Sequence, residues 1–344
     1  MATKTQSEPA EVETTASSMD RVVTVEPTNL EIVPGDVVHE ITPIEGFFVR
    51  SHDPPPYVDV RTHRLRVDGL VATTLELSMS ELYREPMRSV TVTLECAGNG
   101  RVDMVPLPHG ELWHHGAVST ASWRGVPLEV LLRKAGLRDD VIEIAAYDVE
   151  GRFGRSLPVE KALDADTLVT LEMNGRPLPL MHGAPVRLIV PGWYGMASVK
   201  WLARLEARKI PFHGHYQTVA YVYDADHPVT TIRVKSHVVY PTENAVVAKG
   251  PLTVWGWAWS GDGAITSVEV ALDGNDVWQP TRLTPSARHG WTRFDVAVLV
   301  EQPGRHAVRS RASDEGGHRQ PDVPPWNVGG YGNNAVRPIL FTAR

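Results

Sequence analysis

The chain has one cysteine in 344 residues, Cys96, and that scarcity excludes a great deal. An internal disulfide, an iron–sulfur cluster on four cysteines, a haem-attaching CxxCH and a multi-cysteine zinc site are all ruled out. Long apolar runs are missing as well, since nothing approaches the ~18 consecutive apolar residues of a membrane-spanning helix. Basic charge is not in surplus. With 34 Lys and Arg against 41 Asp and Glu, and a net charge of −7, neither nucleic acid nor an anionic membrane is an expected partner, and any anion site has to be a local basic pocket. The first twenty residues lack an apolar core and paired arginines, and Lys4 is their one base. No export signal is legible there, so a disordered tail over 1–20 and a cytoplasmic location are the expectations.

What is present is length for roughly two domains, with 42% apolar residues and enough Gly (28) and Pro (27) to favour strands and turns over a helical bundle. Residues 21–235 mix short alternating runs with a few helical signals, an α+β pattern. Val90 to Leu94 and Pro185 to Val190 read as strands that hand their next residues to Gly-containing loops. Between them, Val126 to Leu137 reads as a helix, with Pro127 in its first turn, a stripe of Leu128, Leu131, Leu132 and Ala135, and Gly136 at its stop. Ser80 is expected to cap a shorter helix towards Arg84. From 236 to 344 the texture changes to strands and turns spaced by about ten residues, which suggests an all-β sandwich of immunoglobulin-like type. Trp255, Trp257 and Trp259 fall on one strand face that needs covering, either within the chain or at an interface.

The chemistry concentrates in Leu94-Glu95-Cys96-Ala97-Gly98-Asn99-Gly100-Arg101, where a thiol ends a buried-looking strand beside glycines that admit close backbone approach and an arginine that favours thiolate or a bound anion. The plainest reading of a lone cysteine is a small core residue. Three chemical readings stand beside it: a nucleophile with a distant His base, a zinc site using His114, His115, His213 or His215, and a single soft thiolate on a metal whose other ligands belong to a cofactor. Only the last makes one cysteine sufficient.

Six strings in order carry a resemblance. They are Phe47-Phe48-Val49-Arg50-Ser51-His52; Thr93 to Asn99; Gly116 to Ala121 with Trp123; Glu172 to Pro179; His182 to Arg187 with Ser198 to Leu202; and Ala258 to Gly261 with Pro325-Trp326-Asn327. Together they resemble the sulfite oxidase family of molybdenum enzymes over nearly the whole chain. The resemblance implies a mixed α/β molybdopterin domain followed by a dimerisation domain, hence a homodimer. It also implies a molybdenum–molybdopterin cofactor without haem, sulfite as substrate, and oxygen or an external redox protein as electron acceptor.

By the same resemblance Cys96 is the thiolate on molybdenum, with two further sulfurs from the pterin. Arg50, Arg101 and Tyr221 surround the oxyanion, while His52 and Trp113 line the same pocket. Phe48, His182, Arg187, Ser198 and Lys200 hold the pterin, the last two cations meeting its phosphate. A substrate arginine from the dimerisation domain is expected near Arg288, with His289 as its rival. Where animal members carry an arginine, this chain has Gly100. Sulfoxide reduction or oxidation of another sulfur compound is the alternative on the same site, and a cofactor-free binding protein is the alternative from another class.

Overall fold

The computed structural model describes residues 20–344, apart from 34, 36, 226, 275, 276, 285 and 286. Residues 1–19 of the expected tail lie outside that range, and Asp20 already opens a strand, Asp20–Thr24.

The first half is built on two five-stranded sheets. In one, Arg88–Glu95 pairs antiparallel with Val118–Pro127, which pairs with Leu168–Met173. In the other, Arg64–Gly69 lies parallel to Leu202–Arg208, and the remaining neighbours are antiparallel. Leu65, Val67, Ile144 and Leu205 from the second sheet meet Val126, Val169 and Leu188 from the first in one core. The helix Leu128–Ala135 seals that core with Leu128, Leu131, Leu132 and Ala135, the stripe read from the sequence. Gly136 ends it in the left-handed region, at φ 71°.

Helix is scarcer than an α+β reading implies: among the described residues the other three α-helices have four residues each. The short helix near Ser80 is Met79–Leu82, and its cap is Ser78. Ser78 Oγ accepts from the Glu81 N–H while the Glu81 carboxylate accepts from the Ser78 N–H. A residue three positions on that can return the bond decides the cap; Ser80 has Tyr83 there, which cannot.

The C-terminal half forms a four-stranded and a five-stranded sheet. Val254 and Phe294 from one and Val268, Val270, Val308 and Phe341 from the other fill a single core. Trp257 and Trp259 point the other way and are covered within the chain: they join Trp291, Tyr194, Met196 and Tyr221 in a cluster at the junction of the two halves. That junction, together with the apolar cluster of Phe47, Phe48, Leu94 and Trp123 on the outer face of the first sheet, brackets Cys96.

Candidate active site

Cys96 follows directly on the strand Arg88–Glu95 and is fixed by its own N–H, which donates to the Ala117 carbonyl at 2.8 Å. The thiol is buried but borders a cleft, with about 900 Å³ of empty space that includes open solvent, that Phe48, Arg50, His52, His182, Arg187, Ser198, Lys200 and Tyr221 also line. Nine of the residues singled out from the sequence therefore share one pocket. Burial pushes the Cys96 thiol up, while Arg50, the Gly98 amide and Arg101 pull in the opposite direction.

Arg50, His52 and Tyr221 form one cluster. Arg50 Nη2 lies 3.0 Å from His52 Nδ1, and His52 Nε2 lies 2.8 Å from the Tyr221 hydroxyl. Burial, with Arg50, Lys200 and His215 nearby, pulls His52 down to about 3, so at neutral pH it is uncharged; with Nδ1 accepting from the Arg50 guanidinium, its one ring proton sits on Nε2 and donates to the Tyr221 hydroxyl oxygen. Burial in turn raises the Tyr221 phenol, keeping it protonated. Tyr221 stands at φ 57°, a left-handed conformation that costs a bulky aromatic residue on the order of 1 kcal/mol and is kept where a side chain has to be aimed.

The floor of the cavity is cationic without being neutralised. Arg187 spends its guanidinium on the carbonyls of His182 and Ser198, at 3.0 and 3.1 Å, and its Nε has no partner. Lys200 Nζ donates to Ser51 Oγ at 2.6 Å and to the Met181 carbonyl at 3.1 Å. Among the described residues neither makes an ion pair with a carboxylate, and the same holds for Arg50 and Arg101. Burial pulls Arg187 down to about 9, still charged at neutral pH, and burial with Arg187 and Arg50 beside it pulls Lys200 well below its usual range. His182, depressed to about 3, donates through Nε2 to the Ile44 carbonyl. An apolar wall beside buried and half-buried cations that have no carboxylate partner is a setting for an anionic ligand.

Three expected residues sit elsewhere. Trp113 is buried in the same apolar cluster as Cys96, Val92 and Leu94 and does not line the cavity. Arg101 is buried beside the cysteine loop, where its Nε donates to the Gly329 carbonyl at 3.1 Å and Nη1 to the Glu111 carbonyl; it acts on Cys96 through its charge rather than as a cavity wall. Arg288 is corrected outright: its side chain is 81% exposed and faces Asp166 at 3.7 Å, as does His289 at 3.0 Å, so neither reaches the pocket. The zinc reading loses its ligands, since His114 turns to Glu31, His115 to Asp103, and no group of three or more metal-ligating side chains forms among the described residues.

Two contributors were not read from the sequence. Arg155 is buried with Nη1 on the Tyr216 carbonyl and Nη2 on that of Val229, clamping the segment that carries Tyr221 from both sides. Loop 327–334, from the C-terminal half, clasps the cysteine loop: the Gly332 N–H donates to the Ala97 carbonyl at 2.8 Å and Asn333 Nδ2 to the Gly100 carbonyl at 2.7 Å. The local signal was a run rich in Gly and Asn after Pro325-Trp326, but nothing local says which distant turn it grips.

Residues 52–216 match the model of the oxidoreductase molybdopterin binding domain, and residues 226–339 that of the Mo-co oxidoreductase dimerisation domain. The chain is 37% identical to sulfite oxidase of Gallus gallus, over 90% of this chain and 75% of that one. It is 34% identical to mitochondrial sulfite oxidase of Mus musculus, over 92% of this chain but 64% of that protein, so it spans less than two thirds of such mammalian relatives. A nitrate reductase of Solanum lycopersicum is similar at 31% identity, over 92% of this chain and 40% of that protein. Among solved structures, the sulfane dehydrogenase SoxCD of Paracoccus pantotrophus superposes with a TM-score of 0.84 at 28% identity, covering 97% of this chain and 92% of that one. The motif strings, the pocket they build and these similarities agree that the chain belongs to the sulfite oxidase family of molybdopterin oxidoreductases.

Proposed function

We propose that this protein oxidises sulfite to sulfate on a molybdenum–molybdopterin centre held by Cys96. The observation that carries the reading is the pairing of a solitary thiol with four cations, Arg101 and Arg187 buried and Arg50 and Lys200 half-buried, that carry no carboxylate partner among the described residues. The residues fit such a cofactor. A thiolate is the soft donor that a metal cycling between high oxidation states accepts, and the orphaned Arg187 Nε and the depressed Lys200 are relieved by an anionic phosphate. When bound, the cofactor supplies the exchangeable oxygen and the two-electron redox capacity; overall, sulfite and water give sulfate, two protons and two electrons.

The chain's own residues do the rest. Arg187 and Lys200 would hold the phosphate, with His182, Ser198 and Phe48 shaping the pocket around the pterin. Arg50 would attract and orient the doubly charged substrate in a partly dry cleft, where fixed donors act more strongly than in water, and Arg101, beside the cysteine loop, would add its charge to the attraction. The Tyr221 hydroxyl, hydrogen-bonded to neutral His52, would donate to a substrate oxygen and keep its proton while doing so. The C-terminal half supports a homodimer with an immunoglobulin-like sandwich as its pairing unit, and oxygen or an external redox protein would take the electrons.

Sulfane or another sulfur compound is the second reading, favoured by the likeness to the sulfane dehydrogenase over 92% of that chain. Elemental analysis with a substrate panel separates them. One molybdenum per chain with turnover of sulfite through an artificial one-electron acceptor supports the proposal. Turnover confined to a neutral sulfoxide, to nitrate or to a sulfane substrate redirects it, and absence of molybdenum after expression in a cofactor-competent host removes it.

A further inference from the structure

Arg101 and Tyr221 come from distant parts of the chain, and one side chain touches both. The Tyr331 ring stacks on Tyr221, with centroids 5.1 Å apart and planes at 29°, and the Arg101 guanidinium carbon lies 5.3 Å from the same ring's centroid. The Tyr331 hydroxyl accepts from the Tyr221 N–H at 3.4 Å. Tyr331 is itself clamped: its N–H donates to Asn327 Oδ1 at 2.9 Å, and its carbonyl accepts from Asn327 Nδ2 at 2.8 Å. The next residue, Gly332, ties the loop to Ala97 in the cysteine loop.

The chemistry of these partners is selective. Backbone carbonyls of Gly329 and Glu111 and the face of an aromatic ring all attract a guanidinium, but none carries a full negative charge. A carboxylate would fix Arg101 equally well and cancel it. Holding the cation by a ring leaves its charge for an anion arriving at the loop. We propose that Tyr331, supplied by the C-terminal half, is a positioning residue that sets Arg101 and Tyr221 in register and thereby sets the affinity of the site for an oxyanion. The inference rests on the oxyanion reading of the site given above.

The test uses molybdenum-loaded Tyr331→Phe, Tyr331→Leu and Tyr331→Met enzymes, normalised to metal content. It reads KM and kcat for sulfite and, separately, the dissociation constant of sulfate by calorimetry. Phe keeps the ring and should stay within about twofold of wild type on KM and on the sulfate dissociation constant, whereas Leu and Met, the latter filling similar space without a π face, should raise these two constants by about threefold or more, with kcat changing less than KM. Should the Leu variant fail to fold, the comparison of Met with Phe decides. The proposal is overturned if Phe, Leu and Met give equal constants, or if the losses are confined to melting temperature and metal content. If wild-type enzyme does not oxidise sulfite, the functional reading fails and the sulfate titration alone decides the positioning claim; wild type that binds no sulfate overturns it.

Discussion

At the scale of single residues, space is as decisive as charge. A Cβ placed on Gly98 would stand 2.7 Å from Arg101 Nη2 and 2.8 Å from its Cζ, and one on Gly110 would stand 3.1 Å from Nη1. The guanidinium occupies a slot that glycines keep open. A methyl at Gly98 meets the far end of a flexible side chain, so the fold should accept it while Arg101 moves. Gly98→Ala is expected to raise KM for sulfite several-fold and to shift the melting temperature by only a few degrees, which steady-state kinetics and calorimetry check together. Cys96, Arg50, His52, Tyr221, Lys200 and Arg187 were legible in the sequence because each lies in a short string whose residue types already state a chemistry. Trp113 and Arg288 misled, since whether such a side chain faces a cavity depends on strand register and loop path, which composition and spacing do not carry. Arg155 left no trace, because the partners of its guanidinium are main-chain carbonyls.

Elements were easier to read where the local code is complete. The Leu128–Ala135 helix keeps the apolar stripe and the glycine stop that the sequence announces, but it starts two residues later than Val126: Val126 and Pro127 still belong to the strand Val118–Pro127, and Pro127 stands at the N-cap rather than in the first turn. The strand Arg88–Glu95 is longer than the alternating stretch Val90 to Leu94, since its first residues pair with the end of Val118–Pro127 without being buried. The capping box at Ser78 shows how one reciprocal bond outweighs a plausible neighbour. Ser78→Ala should cost about 1 kcal/mol of stability, measurable as a shift in urea midpoint, whereas Ser80→Ala should cost little. The scarcity of helix was not legible, because short turns and four-residue helices share the same residues and only the sheet contacts decide between them.

For the molecule as a whole, the two halves are joined at the site itself. Glu95, the residue before the thiol, is 2% exposed; it accepts from Lys235 Nζ at 3.1 Å, from Trp259 Nε1 at 2.9 Å and from Asn99 Nδ2 at 2.8 Å. Lys235→Met would strand that carboxylate in a buried site and should cost about 3 kcal/mol or more, with partial recovery in the Lys235→Met/Glu95→Gln double variant; a loss below 1 kcal/mol in chemical denaturation would contradict this. Stability should also fall as pH drops. His52, His115 and His182 are held near 3, 4 and 3 in the fold, whereas free histidine titrates near 6.5. Between those values the unfolded chain binds more protons, so the stabilisation present above about 6.5 is lost on acidification towards 4. Glu31 and Asp148, raised by burial, oppose this with smaller shifts. Urea midpoints at pH 7.5, 6 and 5 should decrease in that order. The division into two halves could be read from the change of texture near residue 236, but their meeting at Cys96 could not, since it rests on pairs more than a hundred residues apart. X-ray absorption at the molybdenum edge, comparing wild type with Cys96→Ser, bears most directly on the site: the variant should lose one sulfur neighbour of the metal while the fold persists, and an unchanged sulfur count would contradict the assignment of Cys96 as ligand.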